Sequence, residues 1–465
     1  MKKRILAALL ALLMVFGLAA CGNDTNTDPS ANGNGNGNGQ TPAQEDEEGI
    51  IKLTLWSTYT AISNNKLQNL VAKFNAQSDK YEVTMEVGQS GSETRAKLAA
   101  STPEYYPDLF MGTNNCIAEY AGSRYTAPIQ PFLDADEDKW TSDILGTVKK
   151  FMSDADGNLI GLPVGTSVKG YMVNTTVLEK MGYTLEDLTS FEAVAKIAQE
   201  AKAQNLIKYG YIPSGANNIS NMLLLQGVDL VDAGNGYEGK VTNCLYDEGE
   251  TYDALYKYCE ILAGLFETGA AMKNNSGADG GTSTFVNGQA LFWATTSSFV
   301  YEFADIEMSF EWGFVPFRGI DDNAVYSDEV LAEGTSIFLG NTGNEKKMQG
   351  AYEFIKFLGQ EENQIFWCTF RGYTPYLKSV LESDEWISWR DANHPTEKWL
   401  EGPLMSESME LRYPNLTVMS RIQSADSELQ SYLAADPNPE NIDDYIKKVT
   451  KSIQDAIDME NARNG

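Results

Sequence analysis

The chain opens its ordered part with hydrophobic and polar positions that alternate in short runs. Ile51, Leu53 and Leu55 alternate with their neighbours in the two-residue period of a half-buried strand. Apolar residues in 67–74 then recur at helical spacing, and 81–87 alternates again. The pattern predicts a β-α-β unit that begins at Ile50.

The same interleaving of strands and helices continues to the end of the chain. Residues 108–111 are a short apolar run typical of a strand, and Thr189 to Glu192 has the spacing of a capping box that opens a helix to Ala203. Residues 156–158 (Asp-Gly-Asn) predict a tight turn. An apolar stripe over 442–457 predicts a long amphipathic helix. We therefore expect an α/β fold, without the internal repeats of a solenoid or propeller.

The first twenty residues predict export. Lys2, Lys3 and Arg4 precede an apolar run, 5–16, which is too short to cross a bilayer comfortably. Small residues then stand directly before Cys21, in the manner of a bacterial lipobox, so we expect a signal peptide at 1–20 and a diacylglyceryl group on Cys21. The alternative is an ordinary secretory signal that happens to contain a cysteine.

A polar, glycine-rich segment separates Cys21 from the folded part. Residues 21–49 include a repeated Gly-Asn tract that has little to bury, so they predict a flexible tether. Its rms reach is roughly 25–30 Å. The remaining residues exceed what one compact core normally holds, which favours two lobes. The net charge of −30 argues against binding of nucleic acid or anionic lipid.

The inventory of reactive side chains argues against catalysis. The chain has a single histidine, His394, and lacks the G-x-S-x-G, Walker and G-x-G-x-x-G motifs. Four cysteines follow Cys21, and none forms a C-x-x-C pair, so we expect no metal and no cofactor. These cysteines are typical of buried thiols, although a bridge between Cys244 and Cys259 stays open.

Small polar and aromatic clusters follow several predicted strands, where α/β sheets present ligands. They lie at 56–59, 112–115, 165–167 and 295–298, and a further cluster at 371–375 follows a predicted helix. Aromatic faces stack on sugar rings, and hydroxyl and amide groups bond to sugar hydroxyls, so the clusters indicate binding rather than bond-breaking. Each cluster is weak alone, because Trp56 and Trp293 are also typical of a core and Ser/Thr runs cap helices.

Loose motifs in a fixed order give the chain a family resemblance from Ile50 to the last helix. The motifs are the opening strand, 74–77 (Phe-Asn-Ala-Gln), 107–110 (Pro-Asp-Leu-Phe), 156–163, Asn174 before 179–182, 285–290, 313–317, the helix at 351–358 and 372–375 (Gly-Tyr-Thr-Pro). In these the chain resembles the family 1 extracellular solute-binding proteins, the ligand-capturing components of sugar-type ABC importers.

The resemblance implies a two-lobed, periplasmic-binding-protein-like α/β fold (type II) with a ligand cleft between the lobes and a hinge of several strands. It places the first lobe at 50–164 plus 313–370, the second at 165–312 plus 371–465, and the crossings near Pro163, Pro316 and Gly372. It further implies a membrane-anchored, extracytoplasmic monomer that binds a small molecule and works with permease subunits, with no catalytic residues.

Within that family, several segments are similar to glycerol-3-phosphate-binding members. The matching positions nominate Thr166 or Ser167, Ser297, Ser298, Gly334, Tyr373 and Arg412 as pocket residues. Arg412 would face the phosphate, since a planar guanidinium binds phosphate through two hydrogen bonds. The strand-end clusters add Trp56, Tyr59, Asn114 and Trp293 to the candidate binding residues.

Two positions depart from the glycerol-3-phosphate pattern. Gly91 stands where those members place an aromatic ring, and Asn114 where they place a carboxylate. The changes enlarge and neutralise the pocket, so we expect a sugar or short oligosaccharide. Glycerol 3-phosphate or its diesters are the alternative ligands, and an exported carbohydrate-active enzyme or an adhesin or peptide receptor are alternatives of other classes.

Overall fold

The structure is a computed structural model that describes residues 49–463 except 60, 88–89, 214–217, 274–277, 304–305, 394–397, 407–409 and 412. The predictions for the signal peptide, Cys21, nearly all of the tether, His394 and Arg412 fall outside these residues.

Strands of two to eight residues form two sheets. In chain order they are β1 Ile51–Ser57, β2 Tyr81–Val87, β3 Leu109–Thr113, β4 Thr126–Ala127, β5 Leu162–Pro163, β6 Ser167–Asn174, β7 Tyr209–Ile212, β8 Ala290–Thr296, β9 Trp312–Pro316, β10 Ala332–Glu333 and β11 Thr335–Gly340.

Helices occupy most of the chain between the strands. They are α1 Ala61–Gln77, α2 Gly91–Ala100, α3 Ile117–Ala121, α4 Gln130–Ala135, α5 Gly146–Met152, α6 Thr175–Lys180, α7 Phe191–Ala203, α8 Asn218–Gln226, α9 Gly249–Glu267, α10 Ala278–Val286, α11 Phe299–Glu302, α12 Glu345–Leu358, α13 Glu361–Arg371, α14 Lys378–Leu381, α15 Asp384–Asn393, α16 Lys398–Met405, α17 Met419–Ala435 and α18 Ile442–Arg463. Asp232–Gly236 is a left-handed turn, since Ala233, Gly234 and Asn235 have φ between 53° and 57°.

The first sheet has the order β2-β1-β3-β11-β4, and β5 pairs with β11. β1 runs parallel to β2 along its whole length, from Ile51 opposite Tyr81 to Ser57 opposite Val87. β1 is also parallel to β3, whereas β11 is antiparallel to β3. The predicted β-α-β unit is therefore present, and its strand at 81–87 has the predicted bounds.

The second sheet has the order β10-β6-β8-β7, and β9 pairs with β6. β8 and β9 both run antiparallel to β6, and β7 runs parallel to β8. Most of β6 is buried, as are nearly all residues of β8. β6 is thus the strand around which the second sheet assembles.

The chain passes from one sheet to the other at two short connections, which we call the crossings. A third segment lies beside the first crossing. Residues 164–166 lead from β5 to β6, and Gly334 alone joins β10 to β11. The predicted boundary at 313 and crossing near Pro316 are wrong: Gly313 lies opposite Val173 and Pro316 opposite Gly170, so this strand belongs to the second sheet. The third segment is near Gly372, where Thr374 forms a bridge with Thr166.

Helix boundaries follow local chemistry closely. α7 ends at Ala203 as predicted, but its cap is Ser190 rather than Thr189, because the Ser190 side chain accepts from the Ala193 N–H. The turn at Gly157 forms as predicted, with φ of 84° at the glycine. α18 buries its predicted stripe, from Ile442 to Ile457, against the rest of the core.

Cys116, Cys244, Cys259 and Cys368 are free thiols, and all four are buried. Burial raises the pKa of the Cys244 thiol to about 12. Within the described ranges, no helix is both long and apolar enough to cross a bilayer.

Candidate functional site

Strand ends from both sheets meet at the crossings. In the first sheet, Thr113 at the carboxyl end of β3 lies opposite Thr335, the residue after Gly334. In the second, Thr296 at the carboxyl end of β8 lies opposite Lys169, close to the start of β6. Ligands of α/β proteins bind outside the carboxyl ends of strands, which makes this region the candidate site.

The backbone at Thr166 and Thr374 is joined by a reciprocal pair of hydrogen bonds. The Thr166 N–H donates to the Thr374 carbonyl at 2.9 Å, and the Thr374 N–H donates to the Thr166 carbonyl at 2.8 Å. The Thr166 hydroxyl donates to the same Thr374 carbonyl at 2.9 Å. The segment around Gly372 is therefore fixed beside the first crossing, residues 164–166.

Two glycines let the crossings approach each other. A Cβ on Gly165 would stand 2.6 Å from the Cβ of Tyr373, and one on Gly334 would stand 2.7 Å from the carbonyl oxygen of Gly165. Neither separation is compatible with a real side chain. The glycines thus bring Tyr373 and the second crossing against the first, and Tyr373 is buried there.

The predicted serines belong to the same region. The Ser297 N–H donates to the Val168 carbonyl at 2.9 Å, and its hydroxyl accepts from the Val168 N–H at 3.1 Å. The Ser298 hydroxyl lies 2.6 Å from that of Thr296, and the Ser167 hydroxyl donates to the Glu333 carbonyl at 3.3 Å. The structure thus brings together six predicted residues: Thr166, Ser167, Ser297, Ser298, Gly334 and Tyr373. We call these six residues the crossing site.

A carboxylate that the sequence analysis missed lies beside the crossing site. Glu333 is buried and accepts from the Asn221 side-chain amide at 3.0 Å. It also accepts from the Tyr413 hydroxyl, which lies 3.1 Å from the side-chain oxygen of Asn221. The Lys169 ammonium is 3.8 Å from the Glu333 carboxylate. These four residues are the Glu333 cluster.

Tyr413 stays neutral in this cluster. Burial raises its pKa well above the usual value, and the negative Glu333 raises it further. Sequence reasoning had one weak signal for the cluster, because Glu333 directly precedes the nominated Gly334 and Tyr413 directly follows the nominated Arg412. Asn221 carried no such signal.

The two aromatic candidates of the first sheet, Trp56 and Tyr59, already contact other side chains through their rings. The Lys97 ammonium lies 3.5 Å from the centroid of the Trp56 ring, a close cation–π contact. The Tyr59 ring packs against Trp367 at 5.1 Å between centroids. Both residues stand at or just beyond the carboxyl end of β1, but both are buried.

Trp293 is a core residue. Its ring contacts Phe299 at 4.6 Å, Phe303 at 5.9 Å and Phe285 at 6.1 Å between centroids, and it is 3% exposed. This packing contradicts the prediction that Trp293 presents a ring face to a ligand. β8 is buried on both faces, so a tryptophan on it meets hydrophobic neighbours whichever way it points.

The remaining candidates are placed only in part. Asn114 begins a single helical turn, Asn114–Cys116, directly after β3, and its side chain lies outside the described part of the structure. Gly91 begins α2, where an added Cβ would lie 4.0 Å from the Thr113 methyl group. Both positions therefore border the carboxyl end of β3. Arg412 lies outside the described residues.

A separate open pocket of about 890 Å³ lies between α2, α3 and α17. On its wall the Glu119 carboxylate accepts from the Ser420 N–H at 2.9 Å and lies 3.3 Å from Arg95. The carboxylate satisfies a free N–H in the first turn of α17. None of the crossing-site residues lines this pocket.

No three or more His, Cys, Asp or Glu residues in the described part of the chain stand together in a way that would hold a metal ion. The crossing site offers hydroxyl groups, and the neighbouring Glu333 cluster adds an amide and a carboxylate; these are hydrogen-bonding groups for a polar organic ligand.

Comparison with known proteins places this geometry in a family. The sequence profile described as bacterial extracellular solute-binding protein matches residues 69–396. The chain is 21% identical over 403 residues to the sn-glycerol-3-phosphate-binding periplasmic protein of Pectobacterium atrosepticum, covering 83% of this chain and 88% of that one.

Solved structures share the fold. Maltose-bound MalE3 of T. maritima superposes with a TM-score of 0.68 at 18% identity, covering 87% of this chain and 99% of that one. The cyclic alpha-maltosyl-1,6-maltose binding protein of Arthrobacter globiformis gives 0.65 at 18% identity, with 88% and 99% covered. A solute-binding protein of Thermotoga lettingae bound with alpha-D-tagatose gives 0.68 at 14% identity, with 87% and 99% covered.

These matches confirm the predicted two-lobed mixed α/β fold. The matched relatives are binding proteins, and this chain is likewise a binding protein rather than an enzyme. With a profile match over most of its length, the chain belongs to the bacterial extracellular solute-binding proteins.

Proposed function

We propose that the chain is the substrate-binding lipoprotein of an ABC importer, which captures a carbohydrate in a cleft between its lobes and delivers it to a membrane permease. One lobe is built on each sheet, and the crossing site forms the floor of the cleft. The observation that carries the proposal is the convergence of six hydroxyl-bearing or glycine residues and the Glu333 cluster at the strand ends of both sheets.

The chemistry of this floor favours an uncharged, hydroxyl-rich ligand. A carboxylate accepts hydrogen bonds but cannot donate, so Glu333 suits a ligand hydroxyl, and the Lys169 ammonium 3.8 Å away offsets its charge. The hydroxyls of Ser297 and Ser298 donate and accept, as sugar hydroxyls do. Structures with this fold have bound maltose, alpha-D-tagatose and ribitol. We therefore place a sugar or short oligosaccharide first.

Glycerol 3-phosphate or a glycerophosphodiester is the second candidate. The Pectobacterium relative binds sn-glycerol 3-phosphate. Arg412 directly precedes Tyr413 of the Glu333 cluster, and a guanidinium at that point would supply the positive charge that a phosphate needs.

Closure of the two lobes on the ligand is the proposed working cycle. A ligand that contacts both lobes favours the closed form by its differential affinity, and a permease then distinguishes closed from open protein. The predicted lipid on Cys21 and the tether keep the receptor near the permease and raise its effective concentration there. Replacing Cys21 with Ala should move the protein from the membrane fraction to the soluble fraction of the producing cells.

Binding to the mature chain tests the proposal. Thermal shift followed by calorimetry should detect binding of maltose, maltotriose, alpha-D-tagatose or ribitol, with sn-glycerol 3-phosphate as the competing probe. Glu333→Gln should weaken sugar binding about tenfold or more by exchanging an acceptor for a donor. The matched control is Glu353→Gln, a half-buried residue of α12 whose carboxylate accepts from the Gln349 side chain of the same helix at 2.9 Å.

The outcomes separate the candidates. Sugar binding that depends on Glu333 and not on Glu353 supports the proposal. Binding of sn-glycerol 3-phosphate alone replaces it with the second candidate. Chromatographic detection of product from any bound oligosaccharide would show an enzyme and end the binding-only proposal.

A further inference from the structure

The side chain of Asn218 is buried without satisfying its hydrogen-bonding groups. It is 1% exposed, yet neither its oxygen nor its nitrogen has a hydrogen-bond partner among the described residues. An amide in that state costs free energy in the folded protein, because no described protein group replaces the hydrogen bonds that water makes to it in the unfolded chain. Buried polar groups of this kind call for a specific explanation.

Asn218 lies on a helix that is linked to the crossing site through the second sheet and the Glu333 cluster. It is the first residue of α8, which follows β7, and β7 lies parallel beside β8, the strand that leads to Ser297. Three residues further on, Asn221 donates to Glu333. Residues three apart on a helix share a face, so the Asn218 amide lies on the face of α8 that is directed at the Glu333 cluster.

The two unsatisfied atoms of the Asn218 side chain, one oxygen and one nitrogen, indicate which ligand groups would bond to them. The side-chain oxygen needs a donor, and the nitrogen needs an acceptor. Two adjacent hydroxyl groups supply both, because each can donate and accept. An ionised phosphate oxygen only accepts and would leave the Asn218 oxygen unsatisfied.

We propose that Asn218 is a ligand-recognition residue, whose amide accepts from one hydroxyl and donates to the neighbouring hydroxyl of a polyhydroxylated ligand held at the crossing site. This inference rests on the proposed function and adds a residue and a chemical requirement to it. The helix that carries Asn218 is anchored from below, since the Ser220 N–H donates to the buried Asp426 carboxylate at 2.9 Å.

Two substitutions test the role. Asn218→Asp keeps the shape but removes the donor, and Asn218→Leu keeps most of the volume but removes both polar groups. Calorimetry with maltose, maltotriose, alpha-D-tagatose, ribitol and sn-glycerol 3-phosphate identifies the probes that bind the wild-type mature chain. For those probes, both variants should show a Kd about 10- to 100-fold higher. Inorganic phosphate, which lacks hydroxyl pairs, is the negative probe.

The unfolding temperature of the ligand-free protein separates recognition from support of the fold. Asn218→Leu should have a Tm equal to or above that of the wild type, because it removes unsatisfied polar groups from the interior. Lost binding with an unchanged or higher Tm supports the inference. A lower Tm in both variants assigns Asn218 a structural role and overturns it.

The remaining outcomes are also decisive. Variants that bind the probes within twofold of the wild type overturn the inference and leave the proposed function intact. A wild-type chain that binds none of the probes overturns the proposed function, and the inference with it.

Discussion

Asp426 should make the protein less stable at neutral pH than at mildly acidic pH. The residue lies on α17, is 2% exposed, and accepts from the Ser220 N–H and the Tyr246 hydroxyl, both at 2.9 Å. Burial raises the pKa of this carboxyl to about 6 from an ordinary value of 3.8, against the lowering effect of the hydrogen bonds from Ser220 and Tyr246.

The direction of this pH dependence follows from whether the folded or the unfolded state holds the proton on Asp426. Below about pH 4 the carboxyl is protonated in both states, and between about pH 4 and 6 only the unfolded chain releases its proton. Stability therefore falls as the pH rises through this window and stays lower above it. A difference of about two pKa units corresponds to about 3 kcal/mol.

The perturbation is Asp426→Asn, which reproduces the protonated form. Its amide can accept from Ser220 and donate to the Tyr246 oxygen. Urea unfolding of both proteins should give similar free energies near pH 4 and an advantage of about 3 kcal/mol for the variant above about pH 7. A difference between the two proteins that does not change with pH would refute the reasoning.

Asp321 provides a control of opposite sign. Burial alone would raise the pKa of its carboxyl, but hydrogen bonds from Lys257, the Asn323 N–H and Gln226 outweigh burial and lower it. Asp321 therefore stabilises the folded protein above its unfolded pKa, and that stability is lost as the pH falls. Asp321→Asn should be the less stable protein at neutral pH.

Three further substitutions test the core, a crossing and the ligand class. Trp293→Ala should lower the free energy of unfolding by about 3–5 kcal/mol in urea titrations, as a large core truncation does, and a near-neutral result would contradict its placement among Phe285, Phe299 and Phe303. Gly334→Ala should lower the Tm, because its Cβ would stand 2.7 Å from the Gly165 carbonyl; an unchanged Tm would mean that the crossings can separate at no cost. Arg412→Ala should abolish calorimetric binding of a phosphorylated ligand, and unchanged affinity would exclude this residue from the site.

The parts of the fold that the sequence predicted are those with strong local patterns. The strand at 81–87 and the stripe of α18 follow directly from hydrophobic period. The cap of α7 is Ser190 rather than the predicted Thr189. Because both of these adjacent residues carry a hydroxyl group, the sequence does not decide which of them caps the helix. The crossing at Gly334 was missed because it depends on β9 and β10 both pairing with β6 and on β11 pairing with β3, which are contacts between distant segments.

The same distinction between local patterns and long-range contacts applies to the candidate site. Positions taken from family motifs, such as Ser297 and Gly334, meet at the crossings. Trp293 was wrongly assigned to the site because the sequence does not show whether an aromatic residue at a strand end packs in the core or stacks on a ligand. Glu333 and Asn218 were missed, since their significance comes from burial and from partners that only the folded chain defines.

The position of β11 sets the order in which the molecule can be built. This strand lies between β3 and β4 in the first sheet, and Thr335 pairs there with Thr113. The first sheet consequently stays incomplete until most of the chain has left the ribosome, and its central pairing requires closure of a very long loop. A polypeptide that cannot finish its first sheet early remains unfolded for longer during synthesis. That delay would suit a chain that has to cross a membrane before it folds.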